Sequence, residues 1–245
     1  IMLYGDPSSP AFQTARGAVL GAVTGFNFVL SAASPVVSVG TQTIAEESFG
    51  PIDYLLPGII GITVLFPLFA MSSTAAEYRE RHYFKLLATT PLRKSEFLLS
   101  RTVWLLGLTF LSVILMILIA RAVFDARFFI TPIAVALITA GIVLFVSLGI
   151  LIGNFARDIE AASAVANVVY FPMMFLSGTF WSVDIMPGFV QTISRALPLT
   201  YFNDGLRDTL IFGNVESALT NLGIVAGLAI VLFVLAARFM IWRAE

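Results

Sequence analysis

Residues 74–101 read TAAEYRERHYFKLLATTPLRKSEFLLSR. This stretch holds Arg79, Arg81, Lys85, Arg93, Lys94 and Arg101, six of the 14 Lys and Arg in the chain. It lies between two apolar runs, YLLPGIIGITVLFPLFAMSS at 54–73 and TVWLLGLTFLSVILMILIA at 102–120. About 20 apolar residues in a helix cross a hydrocarbon core of about 30 Å. Topology therefore follows from this basic loop, because short loops rich in Lys and Arg stay on the cytoplasmic side. Within it, EYRERHYFKLL at 77–87 sets Tyr83, Phe84, Leu86 and Leu87 against Glu80, Arg81 and Lys85. That pattern predicts a short amphipathic helix. Such a helix suits a cytoplasmic partner; it equally suits a loop that fixes topology and touches anionic lipid.

Composition supports the membrane reading. The 245 residues are 58% hydrophobic and 12% charged, with a mean hydropathy of +0.94. A soluble domain carries about 25% charged residues. The expected fold is an all-α polytopic membrane protein. A formal net charge of −1 gives no sign of a nucleic-acid partner. With no Cys and one His, disulfides and thiol chemistry are excluded and a zinc site is not expected. The opening Ile1-Met2-Leu3 shows no initiator Met and no signal-peptide pattern, so the chain is expected to start in mid-protein.

Five spans are expected, at about 54–73, 102–120, 132–153, 161–178 and 219–237. Pro57 falls in the first turn of the first span, and Pro67 should kink it. Pro132 opens the third span at a favoured position. Residues 1–52 read as a small extracellular α/β segment, and 53–245 as one transmembrane domain. In the segment, Pro10 to Leu30 reads as a helix with Gly17, Gly21 and Gly25 four apart, either a packing face or a Gly-tolerant helix. PVVSVGTQTI at 35–44 reads as a strand, and IMLY as a strand or the end of a spanning helix. Residues 179–217 are too polar to span and too aromatic for an ordinary loop. Two short re-entrant helices broken at Pro187 and Pro198 are expected there, covered by protein or water. The odd number of spans puts loop 74–101, residues 154–160 and the C-terminus on one, cytoplasmic, side of a cell membrane.

Chemistry-bearing patterns are few. No span carries an ionisable residue near its middle, which argues against a proton- or sodium-driven pump. HExxH, GxSxG and Walker A sequences are absent. His82 reads as a solvated loop residue. A lipid-acting enzyme using Asp184, Asp204, Arg207 and Asp208 is a weaker reading, since the last three lie at i, i+3 and i+4 and suit pairing along one helix face. A scaffold that binds a cytoplasmic partner without transport is the alternative. If energy is used, something outside this chain supplies it.

AAEYRERHYFKLLATTPLRKSEFLLSR resembles the first cytoplasmic loop of ABC-2 type transporter permeases, through Glu80, Leu86, Leu87, Thr90, Pro91 and Arg93. His82 stands where that family often has Gly, and Ser100-Arg101 where it has Gly-Lys. IDYLLPGII at 52–60 and FLSGTFWSVDIMPGFVQTISRALPLTYFNDGLR at 175–207 are similar to two further family blocks, in order, with Ser182 where Pro is common. The resemblance covers about 50–245 and implies a spanning helix ahead of residue 1. It implies a coupling helix, Glu80, Arg81, Tyr83, Phe84, Leu86 and Leu87, docked on a nucleotide-binding ATPase subunit. It also implies a second permease in a homodimer or heterodimer, contact with membrane lipid, no cofactor on this chain, and ATP and magnesium held by the ATPase. The expected activity is export of an amphipathic, drug-like or lipid-linked substrate. Phe189, Pro198, Tyr201 and Phe202 would form an outer gate.

Overall fold

A computed structural model describes residues 2–3, 17–19, 21–22, 40–41, 51–83, 89, 91, 93–124 and 131–239. The chain divides into two compact units, Ile1–Phe49 and Gly50–Glu245. In the first, β1 (Met2–Leu3) pairs in parallel with β2 (Gly40–Thr41), Met2 opposite Gly40 and Leu3 opposite Thr41. Residues 17–19 and 21–22 are helical. Among the described residues, a methyl group at Gly17 would meet nothing within 4 Å. Gly25 lies outside the described residues.

The second unit is helical. Its long helices are α1 (Pro51–Glu80), α2 (Lys94–Phe124), α3 (Pro132–Phe155) and α4 (Ile159–Leu176). After a 3-10 turn at Val183–Ile185 come α5 (Gly188–Ala196) and α6 (Pro198–Arg207). A π-helical turn at Asp208–Phe212 leads to α7 (Val215–Phe239). Among the described residues, five helices, α1 to α4 and α7, are long and apolar enough to cross a membrane. The all-α polytopic class expected from composition is the one observed.

Two boundaries differ from expectation. The loop read as 74–101 is shorter, because α1 runs on through Glu80 and α2 begins at Lys94. Hydropathy marks only the part of a helix that sits in hydrocarbon, and Thr74 to Glu80 contains no residue that stops a helix. At 30 and 31 residues these helices are each about 45 Å long, against about 30 Å of hydrocarbon, so both overshoot it. Pro57 lies inside α1 rather than in its first turn, because the helix starts at Pro51.

Helix α1 ends where His82 takes a left-handed backbone conformation, φ 59°. Gly is the usual residue at such a C-terminal position, which is where the resemblance expects one. Helix α2 starts with the Glu96 carboxylate accepting from the Arg93 backbone N–H at 2.9 Å, half of a capping box. Thr131 caps α3 and Asp158 caps α4, each side chain accepting a backbone N–H three residues on.

Helices α1 and α3 form the core: 61% and 56% of their spanning windows are buried, against 22% or less for α2, α4 and α7. Leu56, Ile60, Val64, Leu65 and Leu68 of α1 pack with Leu137, Ile142, Leu144 and Phe145 of α3. The crossing is close because α3 presents Gly149 to the Leu68 carbonyl and Gly153 to the Ser72 carbonyl, where a methyl group would overlap each. Small residues at four-residue spacing permit such backbone approach in lipid. Helix α4 joins α1 through Ser72 Oγ, which donates to Ala162 O at 3.0 Å. Helix α2 is buried along one stripe, Leu98, Thr102, Thr109, Val113, Ile117 and Ala120, while Val103, Trp104, Leu111, Leu118 and Ile119 are exposed. An apolar helix exposed over most of its surface needs lipid around it, since water would penalise that area.

Candidate functional site: two polar junctions at the helix ends

Among the described residues, the charged side chains of this unit gather at the two ends of the helices. At the loop end, Arg79 in the last turn of α1 reaches the C-terminus of α3. Its guanidinium donates to Asn154 O at 2.8 Å and also to Ala156 O. The Asn154 side chain donates onward to Phe239 O at the end of α7, at 2.5 Å. Helix C-termini leave their last carbonyls without intrahelical partners and carry about half a negative charge each. A cation set between two of them, and an amide bridging to a third, satisfies these carbonyls.

The base of the loop is aromatic. The Tyr78 ring packs edge-on to Tyr83, centroids 5.4 Å apart, and against Phe97 at 5.9 Å. Arg101 of α2 donates to the Tyr78 hydroxyl and stacks over the Tyr78 and Phe97 rings at 5.2 and 5.7 Å. The two helices that flank the loop are thereby clasped at its root.

At the opposite end, α6 holds the turn that follows α4. Asn203, fully buried, donates to Ser177 O at 2.9 Å and to the Thr179 hydroxyl at 3.1 Å. Arg207, 4% exposed, donates to Gly178 O. Gly58 and Gly61 of α1 lie directly against Thr179 and Asn203 and leave no room for a Cβ. Asp208 accepts from Ser217 at 2.6 Å and Asn221 at 3.1 Å, fixing the start of α7. Thr131 and Thr209 share a 2.6 Å hydrogen bond. Asp204 sits 3.7 Å from Arg207. Burial raises its pKa to about 6 against the lowering pull of Arg207, with Asp208 and Asp184 adding to the rise.

The expected coupling residues distribute as follows. Glu80 is exposed at the end of α1. Arg81 is exposed and pairs with Glu77 at 3.0 Å, and Tyr83 is 40% exposed. Phe84, Leu86 and Leu87 lie outside the described residues. The four residues expected to gate differ in exposure. Phe189 is 71% exposed, and Pro198 opens α6 half-buried. Tyr201 donates its hydroxyl to Arg195 O. Phe202 is fully buried and its ring lies against Gly141. The Asp204–Arg207 pairing expected along one helix face is present, while Asp208 turns instead to α7. Arg79, Asn154 and Asn203 carry the junctions and were not singled out from the sequence. The available signal was a polar residue at the rim of an apolar run: Asn154 directly follows LGILIG. Among the described residues, no group of three His, Cys, Asp or Glu is placed to hold a metal ion.

Apolar helices of spanning length, with a basic, clasped loop at one end and two short helices at the other, define a polytopic membrane protein. The family model for the ABC-2 type transporter matches residues 1–211, and the chain belongs to that family. The match includes the first 50 residues, which the sequence motifs did not cover, and ends before α7 begins. The chain is 23% identical over 189 residues to "Probable multidrug ABC transporter permease YbhS" of Escherichia coli K12, covering 76% of this chain and 50% of that protein. It is 31% identical over 100 residues to "Inner membrane transport permease YadH" of the same strain, covering 41% of this chain and 37% of YadH. It is 23% identical over 203 residues to "Linearmycin resistance permease protein LnrN" of Bacillus subtilis 168, covering 81% of this chain and 53% of LnrN. The chain thus spans about half the length of YbhS and LnrN. No solved structure matches.

Proposed function

We propose that this permease is the membrane subunit of an ATP-driven exporter whose motor is a separate nucleotide-binding subunit. The observation that carries the reading is the loop between α1 and α2. It stands at the tips of two helices that outrun the hydrocarbon, it is basic, and its root is clasped by Tyr78 and Arg101. A force applied there reaches both helices, because their ends cannot part freely. The loop faces the cytoplasm by the charge rule. Glu80, Arg81, Tyr83, Phe84, Leu86 and Leu87 present its docking surface to the ATPase, which holds ATP and magnesium. A second permease, identical or related, completes the path, and an amphipathic, drug-like or lipid-linked substrate passes outward. The names of YbhS and LnrN, a multidrug permease and a resistance permease, favour that substrate class.

The test is Phe84→Asp with Leu86→Asp, followed by co-purification of the ATPase subunit and transport. Loss of ATPase recovery supports the reading. Undiminished recovery and transport would sink it.

A further inference from the structure

We infer that Arg79 is a positioning residue which carries motion of the cytoplasmic loop into α3 and α7, with Asn154 as its branch point. The inference rests on the proposed coupling to an ATPase and deepens it.

The loop docking surface lies on and beyond the end of α1, yet α1 must move the rest of the bundle for a path to open. Most of the α1–α3 interface consists of apolar surfaces and glycine crossings within the spans. Those contacts are apolar and non-directional. The loop-end junction is different. A planar guanidinium bridging two carbonyls is a directional, charge-assisted contact. Arg79 lies one residue before Glu80, the first of the expected coupling residues, and it grips Asn154 O and Ala156 O at the end of α3. Asn154 then uses its side chain, not its carbonyl, to hold Phe239 O at the end of α7. Three helix ends are joined in series: α1 to α3 through two backbone carbonyls, and α3 to α7 through an amide side chain. On the other side of the loop, Arg101 clasps Tyr78, the residue beside Arg79, so α2 is tied to the same point.

The series order gives separable variants. Arg79→Gln cuts both links upstream. Asn154→Ala leaves the Arg79 contact intact, because that contact is to the main chain, and cuts only the branch to α7. The chain has no Cys, so a single introduced Cys can carry a label without background from this chain. Val135 of α3 (39% exposed) and Val215 of α7 (54% exposed) are reporters near the opposite ends of their helices. The experiment uses the assembled complex in lipid nanodiscs, a bimane label at Val135→Cys or Val215→Cys, and trapping with ATP and vanadate.

In the wild-type background both labels should change fluorescence on trapping. Arg79→Gln should reduce both responses at least fivefold while ATPase recovery and basal ATP hydrolysis stay within twofold. Asn154→Ala should reduce only the Val215 response. Arg79→Lys, with one ammonium for a two-pronged fork, should fall between wild type and Arg79→Gln. Full responses in Arg79→Gln would overturn the assignment, as would loss of ATPase recovery in that variant, which would mark a docking or folding role. A wild-type complex that recruits no ATPase would overturn the transporter reading, and the Arg79 role with it.

Discussion

Gly149 of α3 lies against the carbonyl oxygen of Leu68 in α1, so closely that a methyl group on Gly149 would overlap that oxygen. Gly149→Ala must therefore part the two central helices. The expected cost is about 1–3 kcal/mol, the usual range for overpacking a filled interface. Gly107 of α2 has nothing within 4 Å among the described residues, and Gly107→Ala should stabilise by about 0.5–1 kcal/mol through helix propensity. Thermal unfolding of the two variants in one detergent compares them directly, and equal melting temperatures would contradict the close crossing.

His82 holds φ 59° just beyond α1. A side chain in that region is strained by about 1 kcal/mol, and Gly is not. His82→Gly should leave the protein as stable or up to about 1 kcal/mol more stable, and His82→Val should destabilise it by a similar or larger amount. The ordering Gly, then His, then Val in melting temperature checks this; Val equal to Gly would remove the left-handed turn.

Asn203 is buried and binds Ser177 O and the Thr179 hydroxyl. Asn203→Ala leaves those groups without a donor, at an expected cost of about 1–3 kcal/mol. Asn203→Asp should cost more, since a buried carboxylate would face a carbonyl oxygen. Urea or thermal unfolding that ranked Asp above Asn would refute the assigned contacts.

Asp204 has its pKa raised from 3.8 to about 6, chiefly by burial. A raised carboxyl pKa means the folded state binds the proton more tightly than the unfolded chain. The contribution to stability is thus full below about pH 4 and is lost as pH rises toward 6. Its side chain is 48% exposed, so solvent screening keeps this step small. The difference in melting temperature between wild type and Asp204→Asn should shift against wild type from pH 4 to pH 7 and flatten above it. A difference that stayed constant across that range would rule the shift out.

Much of this protein was legible in its residues. The five spans, the basic loop between the first two, and the breaks at Pro187 and Pro198 each depend on a short window: enough apolar side chains to fill about 30 Å, or a proline that cannot continue a helix. Such properties are local sums, and the sequence carries them without knowledge of the fold. The family motifs were legible for the same reason.

Tertiary structure alone decided the rest. Phe202, aromatic and four residues after Pro198, reads like an interfacial residue until Gly141 is found against its ring. Arg79 reads like one more loop cation until α3 brings a carbonyl from 75 residues away to 2.8 Å from it. Which carbonyl meets which donor depends on how far each helix runs past the hydrocarbon and how closely two backbones cross. Those are set jointly by Gly149, Gly153 and the left-handed stop at His82, and no window of sequence contains them all.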